Sequence, residues 1–139
     1  MSTALPRLVY VDSGVLIAAA RGVPAVSAPA LAFLANPGLH FASSAFVRLE
    51  VLPKARYNHR TDEAAFYEVF FDGVSVWAPV NDDLLVSALA AAETSGLSAV
   101  DALHVAAAIA TGADELVTTE QASKPIHRTT LIRVLTIAE

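Results

Sequence analysis

Short apolar runs alternate along this chain with longer stretches of helical periodicity. The run "RLVYV", residues 7–11, reads as a buried strand that ends at Asp12. Asp12 or Ser13 is placed to cap a helix over Val15–Arg21, which Gly22 closes. "SAPALAFLA" predicts a short helix stopped by "NPG", and "LHFA" a short strand. Ser43 or Ser44 then caps a helix from about Ala45 towards Tyr57, with Pro53 expected to bend it. In "TDEAAFYEVFFDG", Thr61 is the expected N-cap, acids fill the first turn and Gly73 ends the helix. "VSVWAPV" alternates as a strand does. Asn81 and Gly96 bracket another helix, "DDLLVSALAAAETSG", and Ser98 and Gly112 bracket "AVDALHVAAAIATG". "ELVTT" and "IRVLTIA" supply the last strands. Strand followed by helix, repeatedly, predicts an α/β fold. A central, mostly parallel sheet of four to five strands would carry helices on both faces. No repeat, linker or low-complexity tract divides residues 1–139, so a single domain is expected.

This pattern gives the acids a place. In an open parallel sheet, ligands bind outside the carboxyl ends of the strands. Asp12 follows the first strand, and Glu120 follows "ELVTT" in the same way. Composition narrows the chemistry. A net charge of −5 argues against gripping nucleic acid by bulk electrostatics. It leaves room for a cation that bridges acids to phosphate. With no cysteine there is neither a disulfide framework nor a thiolate metal site. Apolar runs fall short of the roughly 20 residues that span a bilayer, and no secretory pattern opens the chain, so a cytoplasmic protein is expected.

Each acid also has an ordinary reading. Asp12 is a good N-cap. Glu50 can pair with Lys54 at i+4, although an acid inside the apolar "AFVRLEVL" is expected to be half buried and to want a cation. Ser98 and Asp101 have the form of a capping box, with His104 one turn further on. His104 itself reads as a hydrogen-bonded structural residue rather than a ligand. Glu120 sits where loops are normally polar. Taken together, acids meeting at one sheet rim would repel one another unless a cation sat among them. Oxygen donors without a His or Cys cluster suit Mg²⁺ or Mn²⁺, and such a site performs phosphoryl chemistry.

The order of "VYVDSGVLI", "SSAFVRLEVL", "LSAVDALHVAAAIATGADELVTTE" and "IRVLTI" resembles a PIN domain, most closely the VapC-type toxins of prokaryotic toxin–antitoxin pairs. The resemblance covers nearly the whole chain and is most specific from Leu97 to Glu120. It implies a three-layer α/β/α sandwich. Asp12, Glu50 and Asp101 take the places of three catalytic, metal-binding acids. Glu120 takes a fourth, where aspartate is commoner. Thr118 matches the hydroxyl beside the acids, and Ser13 the small polar residue after the first. The implied activity is Mg²⁺- or Mn²⁺-dependent cleavage of RNA by water, without a covalent intermediate. A homodimer and a cognate antitoxin that covers the acidic groove are implied too.

Substrate RNA would need positive contacts. Arg48, Lys54, Arg56, His59 and Arg60 are available on one side, and Lys124, His127 and Arg128 on the other. Tyr57 offers a stacking surface. Competing readings have specific weaknesses. A phosphate-accepting receiver domain lacks an Asp at the end of "VSVWAPV", and an aspartyl-nucleophile phosphatase would want an acid where Gly14 stands. A catalytically inactive PIN-like binding module is the remaining alternative, favoured by Glu120 and by the negative net charge.

Overall fold

The computed structural model describes residues 7–138. Its strands are β1 (Arg7–Val11), β2 (Leu39–Ser43), β3 (Val76–Trp77), β4 (Glu115–Thr118) and β5 (Arg133–Thr136). They form one sheet in the order β3-β2-β1-β4-β5, and every neighbouring pair is parallel. The helices are α1 (Ser13–Arg21), α2 (Pro24–Leu34), α3 (Ala45–Tyr57), α4 (Thr61–Asp72), α5 (Asp82–Ser95) and α6 (Ala99–Ala110), with a 3₁₀ turn at Pro125–Arg128.

The central strand shows why its sequence is apolar throughout. Val9 and Val11 pack on one face with Val15, Ala18, Ala19 and Ala30 of α1 and α2. Tyr10 points to the other face, among residues that include Val47 and Val51 of α3 and Val105 of α6. Val117 and Leu116 of β4 divide in the same way. A strand buried on both faces cannot alternate apolar with polar. The result is a three-layer α/β/α domain. Alanines at 102, 106, 107 and 108 keep α6 flush against its neighbours.

Several boundaries differ from the expectations above. Helix α2 starts at Pro24, three residues before "SAPALAFLA", because proline at the first turn is preset for helical φ and lacks an N–H that would go unpaired. Pro53 lies within α3 without ending it. Thr61 is the first helical residue of α4 rather than its cap. Arg60 holds the cap position with no side-chain hydrogen bond, and Asp62 and Glu63 offset the exposed amides electrostatically. Strand β3 is only two residues long, although Ser75 N–H to Phe41 O (2.8 Å) and Ala78 N–H to Ser43 O (2.9 Å) extend its docking on β2. Pro79 cannot donate and ends it. No helix among the described residues is long and apolar enough to cross a membrane.

Candidate active site

Because all five strands run parallel, their carboxyl ends share one edge, and the side chains of interest gather there. Asp12 follows β1, and its own N–H is held by Val117 O at 3.0 Å. It caps α1: Oδ1 accepts the Val15 N–H at 3.4 Å. Ser13, the alternative cap, instead donates its hydroxyl to Glu50 Oε1. The other Asp12 oxygen, Oδ2, accepts the Thr118 hydroxyl at 2.5 Å. Thr118 Oγ1 in turn accepts the Glu120 N–H at 3.0 Å, so one buried hydroxyl ties β4 and the Glu120 loop to Asp12. His127 Nε2 lies 2.9 Å from the Glu120 carbonyl and donates to it, which steadies that loop from the far side.

Glu50 projects from α3. Its partner is not Lys54. Oε1 accepts from His104 Nε2 at 2.5 Å as well as from Ser13. His104 is 3 % exposed, as the sequence reading of a hydrogen-bonded residue expected, and its Nδ1 lies 2.8 Å from the Tyr10 hydroxyl. Asp101 stands in the first turn of α6. Ser98 caps that helix through the Asp101 N–H at 3.2 Å, and the reciprocal half of a capping box is not among the described hydrogen bonds. The Ser98 side chain also hydrogen-bonds the Asp101 carboxylate and pulls its pKa down, against burial.

The electrostatics show that these acids share a neighbourhood. Burial raises the pKa of Asp12, against the opposing pull of the Thr118 hydroxyl and of His104. Burial also raises Asp101. His104 opposes this, while the negative charges of Glu120 and Glu50 add to it. Glu50 moves the other way, lowered chiefly by its hydrogen bond to His104. Asp101 therefore feels Glu50 and Glu120, and Asp12 and Glu50 both feel His104. The donor set is carboxylate and hydroxyl oxygen, suited to a hard divalent cation, and its excess negative charge is what such a cation relieves. Among the described residues, however, no three His, Asp or Glu side chains stand close enough together to hold a metal ion as they are placed. Glu50 is turned towards its protein donors.

Sequence reasoning missed the polar role of Tyr10 and read Ser44 only as a candidate helix cap. Tyr10 read as one more core residue. A fully buried phenol needs a partner, and here it has two, Ser44 Oγ at 2.7 Å and His104. The basic cluster after α3 is less available than its sequence suggested. Arg56 pairs with Glu68, Arg60 Nη1 lies 3.9 Å from Glu63, and Arg48 sits over the Phe71 and Trp77 rings. Tyr57 remains 84 % exposed. Away from the acids, an apolar cleft of about 460 Å³ lies between α2 and α4, lined by residues that include Leu31, Phe41, Phe66 and Phe70.

Comparison with known proteins places this geometry. Among solved structures, VapBC2 from Rickettsia felis, bound to a DNA fragment from its promoter, is similar at 17% identity with a TM-score of 0.70, over 93% of this chain and 98% of that one. VapBC-1 from nontypeable Haemophilus influenzae is similar at 17% identity and 0.65, over 93% and 97%. FitAcB from Neisseria gonorrhoeae is similar at 18% and 0.57, over 91% and 96%. At such identities the likeness concerns the fold. No curated protein sequence matches. The family model described as the PIN domain matches residues 9–123, from the middle of β1 to just past Glu120. The chain belongs to the PIN domain family.

Proposed function

We propose that this chain is a Mg²⁺- or Mn²⁺-dependent ribonuclease and the toxin of a toxin–antitoxin pair. The observation that carries the reading is the hydrogen-bonded set at the carboxyl edge of the sheet, where Thr118 holds Asp12 and where Ser13 and His104 hold Glu50, with Asp101 feeling the charges of Glu120 and Glu50. PIN domains are generally nucleases. The structural neighbours described as VapBC and FitAcB support a cognate antitoxin as partner. A homodimer acting in the cytoplasm completes the reading.

A bound divalent cation would supply activated water and neutralise charge on the phosphodiester. Asp12, Asp101 and Glu50 would hold it, with Glu120 contributing directly or through water. Thr118 donates to Asp12 and so favours its ionised form despite burial. His104 and Ser13 keep Glu50 ionised. The Ser13 and Thr118 hydroxyls are committed as donors to Glu50 and Asp12, which supports attack by water without a covalent enzyme intermediate. Lys54 and Lys124 are the cations we assign to RNA contact, with His59 as a further hydrogen-bonding group.

The test is cleavage of single-stranded RNA by purified protein with Mn²⁺, Mg²⁺ or EDTA. Metal-dependent cleavage is expected, and it should be silent in EDTA. Cleavage that survives EDTA would overturn the metal role. The absence, among the described residues, of three acids or histidines placed to hold a metal, together with the glutamate at 120, favours a second reading, a non-catalytic binding module. RNA bound in Mn²⁺ but left intact would establish that one.

A further inference from the structure

A chain of four polar side chains crosses the core and ends on Glu50. Ser44 Oγ lies 2.7 Å from the Tyr10 hydroxyl, the Tyr10 hydroxyl 2.8 Å from His104 Nδ1, and His104 Nε2 2.5 Å from Glu50 Oε1. Ser44 and Tyr10 are 0% exposed and His104 is 3% exposed. The side chain of Glu50 is 39% exposed.

Proton counting fixes the end of this chain. An ionised carboxylate only accepts, so Nε2 carries the proton that Glu50 receives. On the other side of the ring Nδ1 is held by the Tyr10 hydroxyl, which is paired in turn with Ser44 Oγ. Ser44 Oγ also accepts the Val47 N–H at 3.4 Å as the cap of α3. Packing alone does not ask for this. Buried polar groups cost stability unless paired, and apolar side chains of similar size would fill the same space. The arrangement also uses the carboxylate unevenly. Oε1 takes both protein donors, whereas no hydrogen bond among the described residues engages Oε2.

We infer that His104, oriented by Tyr10 and Ser44, is a positioning residue that commits Oε1 of Glu50 and presents Oε2 as that carboxylate's single oxygen for a divalent cation. Ligating or near-ligating groups are commonly oriented by such outer partners, whose loss costs roughly 10- to 100-fold in metal affinity or activity. The cation rests on the nuclease reading above. The orientation of Glu50 does not.

Two amide substitutions separate positioning from packing. In His104→Gln the side-chain NH₂ reaches about where Nε2 stands, and so keeps a donor for Glu50. In His104→Asn it reaches only to about Nδ1, on the Tyr10 side. Mn²⁺ affinity by calorimetry is expected to stay near wild type in His104→Gln and to weaken roughly 10- to 100-fold in His104→Asn. Equal losses in two variants of matched melting temperature would overturn the inference. A second readout needs neither variant nor metal. Ring ¹⁵N shifts of the wild type at pH 8 should show Nε2 protonated, and an unprotonated Nε2 would overturn the inference outright. If the wild type binds no Mn²⁺, the cation half falls with the nuclease reading. A protonated Nε2 in that same sample would show that His104 still orients Glu50.

Discussion

Asp12→Asn is expected to slow Mn²⁺-dependent RNA cleavage by at least roughly 100-fold, the upper end of what losing an outer-sphere partner costs, because here one of the proposed ligands itself is lost. The same variant should melt no lower than wild type in EDTA. Asparagine caps helices about as well as aspartate, so its carbonyl can keep the Val15 N–H. Its NH₂ can donate to Thr118 Oγ1, which now accepts where it once donated. What disappears is a carboxylate whose pKa burial pushes up, that is, a charge the metal-free fold holds at a cost. Cleavage rates and melting curves measured side by side decide the matter. A melting point several degrees below wild type, with cleavage merely scaled to the folded fraction, would make Asp12 a structural cap and nothing more.

Thr118→Val should produce the larger loss of stability. The two side chains have nearly the same shape, so packing is preserved and only the hydroxyl goes. Thr118 is fully buried, and its oxygen serves both Asp12 Oδ2 and the Glu120 N–H. Removing it leaves a buried carboxylate short of a donor, at about 1–3 kcal/mol or more. In a domain of this size that is about 3–12 °C in melting temperature. The deficit should depend on pH. Asp12 has a folded pKa raised above its unfolded value, so its contribution to stability is full below the unfolded pKa and is lost as pH rises through the folded one. The Thr118 hydroxyl opposes that rise, and without it the folded pKa climbs further. The difference between variant and wild type should therefore be greatest at neutral pH and shrink as pH falls and Asp12 is protonated. Glu50 runs the opposite way, its lowered pKa giving stability that is lost on acidification, but it does so in both proteins and drops out of the difference. A deficit independent of pH would mean that Thr118 does not support the charge of Asp12.

Much of the fold was legible because its signals are local. Asn81 caps α5 through the Leu84 N–H, Ser98 caps α6, and Gly96 ends α5 at φ 66°, a left-handed conformation that glycine adopts freely. The apolar β1 and β4 could hardly be anything but buried strands. Boundaries were harder where two residues offered the same service. Ser44, not Ser43, caps α3, and Asp12, not Ser13, caps α1. The candidate acids were legible one by one, from strand ends and cap positions. Their connections were not. Tyr10 meets His104 across 94 residues, Glu50 meets His104 across 54, and Thr118 meets Asp12 across 106. Such pairs leave no periodicity or spacing in the chain. The i+4 relation of Glu50 to Lys54 was the local signal, and a tertiary partner overrode it.

Thermal unfolding with and without millimolar Mn²⁺ decides whether these acids bind a divalent cation. Wild type and Asp101→Asn are the pair to compare, since the variant keeps the backbone of the Ser98 cap and removes one charge from the groove. Ligand that binds only the folded state stabilises it by about 2.7 kcal/mol at 100 times its dissociation constant, so the shift should grow with Mn²⁺ concentration. We expect that growing shift in wild type and its loss in Asp101→Asn. Equal shifts in the two proteins, or none in either, would contradict a metal held by this cluster.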